Sequence, residues 1–87
     1  YLGIDIGKHS HSLCLLNDNG KESIWQMDNT KQGFEKLRNK LISEDLLSAK
    51  DKLLIGMEST GHYFLNLYSF FLELGFKGNQ IALLNPL

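Results

Sequence analysis

Short runs of apolar and β-branched residues, separated by turn residues, dominate the first third of the chain and are typical of β-strands. The first run covers residues 1–6 and the second covers residues 10–16. The second run has apolar residues on both faces, which favours an interior strand. The sequence "NDNG" at residues 17–20 is a strong turn signal, so we expect residues 22–27 to pair with the second strand as a hairpin. These three runs predict an antiparallel meander.

The hydrophobic period then changes from two to that of a helix. In "DNTKQGFEKLRNKLISE" the residues Phe34, Leu37 and Leu41 have helical spacing, and the opposite face is polar. Asn29 or Thr30 is the expected N-cap. We therefore predict an amphipathic helix that covers one face of the sheet.

The remaining residues alternate between strand and helix patterns. Residues 52–57, "KLLIGM", form a short apolar run suited to a buried parallel strand. A second helix is expected from residue 60 to about residue 74, with Gly75 as its C-terminal stop. Residues 80–84 form a fifth strand that Pro86 ends. The predicted order is β-β-β-α-β-α-β with right-handed crossovers, which is the order of the ribonuclease H-like α/β fold.

Length and charge restrict the function only loosely. Eighty-seven residues allow one small domain, and 43% hydrophobic with 22% charged residues is an ordinary globular composition. The net charge of −1 predicts no strong attraction to nucleic acid, so a DNA substrate would be gripped mainly by other parts of the protein. Both ends of the chain lie in predicted strands, and we therefore expect an excerpt of a longer protein.

The single cysteine and the lack of long apolar runs indicate the compartment in which the protein is expected. Cys14 cannot form an internal disulfide, which favours a reducing compartment. No run approaches the roughly 20 apolar residues of a membrane span, and no signal-peptide pattern is present. We expect a cytoplasmic protein without a membrane partner.

Two acidic residues follow apolar strand patterns, and they carry the main chemical hypothesis. Asp5 lies between two isoleucines in "GIDIG", where a buried, unpaired carboxylate would be costly. Glu58 follows "LLIGM" at the end of the fourth strand. In the predicted topology these strands are neighbours, so both carboxylates would project into one crevice. Their repulsion would be relieved by a hard divalent cation such as Mg²⁺.

Each acid also has a simpler explanation when it is taken alone. Asp5 could accept hydrogen bonds from the backbone amides of Gly7 and Lys8 at the strand end. Glu58 could lie near a helix N-terminus, where the helix dipole favours a negative charge. Only the combination of both acids on adjacent strands favours a metal site.

The histidines and the residues beside them give weaker signals. His9 and His11 are one residue apart, but without further ligands solvated turn histidines are the favoured interpretation. Lys8 is expected to be exposed, or to lie beside a site rather than in it. His62 and Tyr63 open the second helix, where they either accompany a phosphate-binding N-terminus or lie partly buried below a cap.

The second helix leaves almost no polar face. A helix that is apolar all round in so small a domain must be covered by something other than its own sheet. We expect another domain or another subunit in that place, and hence a homo-oligomer. Trp25 in the third strand is expected in the core or an interface rather than as a base-stacking platform.

Three segments resemble the DEDD-type transposases of bacterial insertion sequences, a family that includes the Piv-type DNA invertases. They are "GIDIGKHSHSLCLLNDNGK", "GMESTGHYFLNLYSFFLELGF" and "ALLNPL", in the family's order. The resemblance implies a RuvC-like, ribonuclease H-like domain in which four acids bind Mg²⁺, or Mn²⁺ as a substitute, for DNA strand cleavage and exchange. By motif, Asp5 matches the first acid and Glu58 the second.

The same resemblance implies what the chain lacks and what it acts on. The last two aspartates of the family follow the "NPL" segment, and this sequence stops at Leu87. Residues 1–87 are therefore expected to be the N-terminal part of one RuvC-like catalytic domain, truncated before the last two acidic motifs and inactive alone. DNA is the implied substrate, and a structured guide RNA is an implied partner of the full-length protein.

Two alternatives belong to other functional classes. Nucleotide-binding modules of the actin and sugar-kinase type have a similar "GIDIG" hairpin around ATP phosphates. They do not account for "MESTGHY", and the usual Gly-Thr or Gly-Ser turn is replaced here by residues 7–9, "GKH". The apolar second helix alternatively favours a non-catalytic dimerisation module.

Overall fold

A computed structural model describes residues 1–48, 50–59 and 63–84 of the chain. The elements are β1 (Leu2–Ile6), β2 (Ser10–Leu16), β3 (Glu22–Asp28), α1 (Lys31–Ser43), β4 (Ile55–Ser59), α2 (Phe64–Glu73) and β5 (Ile81–Leu84). Single 3₁₀ turns precede β4 and β5, at Lys50–Lys52 and Gly78–Gln80. The predicted order of strands and helices is confirmed.

The five strands form one mixed sheet in the order β3-β2-β1-β4-β5. Strand β1 pairs antiparallel with β2 and parallel with β4, and β4 pairs parallel with β5. The first strand is therefore central and the fourth is its neighbour, as the sequence predicts. This α/β architecture agrees with the ribonuclease H-like fold.

The two faces of the sheet differ in burial. On the helix-covered face, strand residues share one core with both helices; these core residues are Leu2, Ile4, Ile6, Leu13, Leu15, Met27, Leu37, Leu41, Leu53, Ile55, Met57, Leu67, Phe71, Phe76 and Ile81. On the open face, the alternate strand residues include the exposed Asp5, Ser12, Ile24 and Glu58. The alternation follows from the two-residue period of a strand.

Local signals at the first hairpin and at α1 are as expected. The Asn17 side-chain oxygen accepts hydrogen bonds from the amides of Asn19 and Lys21, at 3.0 and 2.9 Å. Of the two candidate caps, Thr30 is the one used, because its Oγ1 accepts from the Gly33 amide at 3.1 Å. Such a cap satisfies an amide that the first helical turn leaves free.

Only some of the apolar side chains of helix α2 are exposed, although its sequence is apolar on almost every face. Leu67 and Phe71 are fully buried, and Gly75 ends the helix with a φ of +101°. Three large apolar side chains remain exposed around this helix: Tyr63, Leu65 and Leu72. The expected start at residue 60 lies outside the described residues. Most of the remaining apolar side chains of α2 are half-buried against its own sheet and α1.

Strands β4 and β5 begin later than predicted because polar residues before them are used in 3₁₀ turns. The Gln80 side chain donates to the carbonyls of Lys50 and Leu53 and accepts from the Lys77 amide. Lys50 Nζ donates to the Leu74 carbonyl at 2.9 Å. The buried Gln80 therefore joins the two turns and is not a strand residue. The proposed end of β5 at Pro86 lies outside the described residues.

In the described part of the chain, no helix combines the length and the apolar character that are needed to cross a bilayer.

Candidate metal centre

Asp5 and Glu58 lie side by side in the sheet. They are register partners in the parallel pair of β1 and β4, and each is the last residue but one of its strand. Because parallel strands end at the same edge of a sheet, both carboxylates are placed at that edge. Both residues are exposed on the open face.

The position of Asp5 between two isoleucines follows from strand alternation. Ile4 and Ile6 point into the core and are 3% and 6% exposed, while Asp5 points to the other face. The carboxylate is therefore not buried, and the energetic difficulty that the sequence raises does not arise.

A shallow cavity of about 290 Å³ adjoins the two acids on the open face. Its other lining residues include Tyr1, Ile24 and Leu84. The Tyr1 ring lies over Gly3 and Gly56, where a Cβ atom would meet the ring at either position. Glycine at these two sites leaves room for the aromatic ring against the central strands beside the acids.

The carboxylate oxygens of Asp5 and Glu58 are suitable ligands for a hard cation, although two side chains supply few of the ligands that it needs. Carboxylate oxygens are the ligands that Mg²⁺ prefers in proteins, with water completing the shell. Within residues 1–48, 50–59 and 63–84, no third acidic, histidine or cysteine side chain joins this pair to form a cluster. The described residues thus fit a cation but do not enclose it.

The described residues bear on the simpler explanation of Asp5 but not on that of Glu58. The Gly7 amide donates to the Ser10 carbonyl at 3.1 Å and to His11 Nδ1 at 3.3 Å. This amide is therefore used elsewhere and not by Asp5. The helix start that the sequence predicts at residue 60, which would favour Glu58, lies outside the described part of the chain.

The two histidines have opposite environments, and the prediction of a solvated pair is wrong for His11. His9 is exposed in the turn, whereas His11 is 1% exposed on the helix-covered face of β2, in line with Leu13 and Leu15. Strand β2 begins at Ser10, so residue 11 takes an inward position. Burial lowers the pKa of His11, and the nearby Asn29 side chain partly opposes this. Its Nε2 has no hydrogen-bond partner among the described residues.

Other residues singled out in the sequence are mostly outside the site. Lys8 is exposed, as predicted, and Tyr63 is 41% exposed just before α2. His62 lies outside the described residues. Trp25 is half-buried against the core with Lys40 Nζ 5.4 Å from its ring centroid, in agreement with the expected packing role. No local sequence pattern indicates that His11 and Asn29 both form hydrogen bonds to the turn after β1.

The chain matches a known protein family. The family model for DEDD transposases of the IS110 type, described as "Transposase", matches residues 2–87. The matched segment includes Asp5, Glu58 and every element of the sheet. No curated protein matches the chain.

Proposed function

This chain belongs to the DEDD transposase family, and we propose that Asp5 and Glu58 supply two of the carboxylates that hold Mg²⁺ for DNA strand cleavage and exchange. The family is one of enzymes that cut and recombine DNA, and DNA is their substrate. The observation that carries the proposal is the register pairing of these two acids at one edge of the open face.

The role of the protein residues follows from their placement. Asp5 and Glu58 would hold the cation from two adjacent strands, whose shared hydrogen bonds limit relative movement of the two backbones. Bound there, Mg²⁺, or Mn²⁺ as a substitute, supplies positive charge to the phosphate oxygens and lowers the pKa of an attacking hydroxyl or water. Two protein ligands hold such an ion weakly, so the proposal includes further acids, which the family resemblance places after residue 87.

The wider assignments are proposals of the same kind. Residues 1–87 would form the N-terminal part of a RuvC-like catalytic domain, with no cleavage activity alone. A structured guide RNA and self-association are further proposed partners. The exposed Tyr63, Leu65 and Leu72 around α2 support self-association. Sedimentation at several concentrations tests this, and a monomer throughout would contradict it.

The nucleotide-binding alternative is less well supported. In that class, the first hairpin turn offers its backbone amides to phosphates. Here the turn is only two residues long, between Gly7 and Ser10, and the Gly7 amide is already hydrogen-bonded. The family match also favours a transposase.

The test is DNA strand cleavage by the transposase that contains this chain, in the presence of Mg²⁺. We expect Asp5→Asn and Glu58→Gln each to abolish cleavage while leaving the circular dichroism spectrum unchanged. Asp18→Asn, in the exposed turn between β2 and β3, is the matched control and should cleave normally. Cleavage retained by either Asp5→Asn or Glu58→Gln would overturn the metal-ligand assignment.

A further inference from the structure

We propose that His11 is a positioning residue for Asp5, because its Nδ1 accepts the backbone hydrogen bond that holds the turn directly after the Asp5 strand. The proposal rests on the proposed function, since Asp5 needs positioning only if it is a metal ligand. It concerns a side chain on the opposite face of the sheet from the acids.

The turn that His11 holds is compact. Strand β1 ends at Ile6, and the chain reverses through Lys8 and His9 before β2 begins at Ser10. The Gly7 amide donates to both the Ser10 carbonyl and His11 Nδ1. A Cβ atom at Gly7 would lie 2.5 Å from the Ser10 oxygen, so glycine is required for this close approach.

The chemistry of the imidazole suggests why histidine occupies this core position. The neighbours along the same face of β2 are Leu13 and Leu15, and a leucine would fill the site without any polar atom. His11 instead accepts at Nδ1, which places its proton on Nε2, and Nε2 has no described partner. A buried donor without a partner lowers stability. The imidazole is therefore explained by what Nδ1 does and not by packing.

The link to Asp5 runs through the backbone. Asp5 lies two residues before Gly7, and the paired part of β1 ends at Ile6 opposite His11 and Ser59. The hydrogen bond from the Gly7 amide to His11 Nδ1 is therefore the first side-chain contact that holds the backbone after the end of β1. Without it, the end of β1 gains freedom relative to β4, and the two carboxylates lose their fixed spacing.

Asn29 holds the same turn from its outer side. Its side-chain amide donates to the Lys8 carbonyl at 3.2 Å, and its backbone amide donates to the His9 carbonyl at 2.8 Å. Asn29 directly precedes Thr30, the N-cap of α1. The turn after the Asp5 strand is thus held by the core on one side and by the start of α1 on the other.

The experiment is a titration of the chain with Mn²⁺, in which electron paramagnetic resonance measures the free ion. His11→Leu removes the acceptor and keeps an apolar core side chain. We expect Mn²⁺ affinity to fall on the order of tenfold, as when the partners that orient metal ligands are removed. His11→Asn places Oδ1 where Nδ1 was and should restore the affinity. His9→Leu, in the exposed turn, is the matched control and should bind like the wild type.

Thermal unfolding separates positioning from general stability. We expect His11→Leu to be at least as stable as the wild type despite its weaker Mn²⁺ binding. Should it fail to fold, His11→Gln, which has no acceptor at the Nδ1 position, takes its place with the same expectation.

Failure of this proposal differs from failure of the metal site. Wild-type Mn²⁺ affinity in His11→Leu, or in the substitute His11→Gln, would overturn the positioning role if Asp5→Asn abolishes binding. Unchanged binding in Asp5→Asn would overturn the metal site itself. A proton on Nδ1 in the ¹⁵N spectrum of His11 would also overturn the positioning role.

Discussion

The helix-covered face and the open face of the sheet are built from the same strands but carry different residues. On the helix-covered face, Leu2, Ile4 and Ile6 of β1 and Ile55 and Met57 of β4 are at most 6% exposed. On the open face, the positions between them hold glycines and the exposed Asp5 and Glu58. Strand alternation thus separates residues that stabilise the domain from residues proposed for chemistry, although they are adjacent in sequence.

The most damaging way to break this separation is to place a charge on the helix-covered face. Ile4→Asp puts a carboxylate into the core, and we expect a loss of more than about 4 kcal/mol or failure to fold, because no partner compensates the desolvation. Gln26→Asp, on the open face of β3, is the control and should fold normally. Circular dichroism and size-exclusion chromatography measure both. A well-folded Ile4→Asp would mean that the two faces are not distinct.

A core truncation on α2 tests the same contrast within one helix. Phe71 is fully buried and contacts Phe70 and Phe76, whereas Leu72 is 42% exposed. Phe71→Ala should lower the free energy of unfolding by about 3 kcal/mol, from lost apolar burial and a residual cavity. Leu72→Ala should cost less than about 1 kcal/mol. Urea unfolding compares the two, and equal losses would contradict the assigned burial.

The pH dependence of stability tests the burial of His11. Burial lowers the pKa of His11 in the folded chain, partly opposed by Asn29, so the unfolded chain takes up a proton first as the pH falls. Stability should therefore decrease below about pH 6.5 and level off once the folded chain also protonates. His11→Asn removes this titration and should show a shallower decrease in the urea midpoint between pH 7 and pH 5. Parallel profiles for the two proteins would contradict the burial of His11.

We expect the smallest change in stability when one of the two open-face acids, Asp5, is neutralised. Like charges directly opposite in adjacent strands destabilise a sheet, so Asp5→Asn should raise the melting temperature slightly in the absence of divalent metal. Asp18→Asn makes the same substitution in the exposed turn between β2 and β3, away from the acids, and is the control. A lower melting temperature in Asp5→Asn would show that the carboxylate stabilises the fold.

Much of the fold was predictable because its signals are local. The turn at residues 17–20, the Thr30 cap and the Gly75 stop each depend on a few neighbouring residues, and each is confirmed. Strand β4 begins later than "KLLIGM" predicts, because this segment does not show that Lys50–Lys52 forms a turn. That turn depends on Gln80, which is distant in sequence and donates to the Lys50 and Leu53 carbonyls.

The prediction that His11 is a solvated turn residue is wrong, because its burial depends on strand pairing. The spacing of His9 and His11 is compatible with a shared strand face, but only His11 belongs to β2. Pairing with Ile6 and Met27 gives residue 11 its inward direction. No local pattern around "KHSHS" distinguishes this from two solvated turn residues.

The element order, the end of β1 and the family were predictable from the sequence alone, because alternation, capping and motif spacing are properties of short segments. Strand pairing and the packing of the helices make Asp5 and Glu58 register partners on the open face and direct His11 into the core beside Gly7. Register and facing depend on which strands pair and on what covers each side. Those interactions join residues up to about fifty positions apart, and local propensity does not specify them.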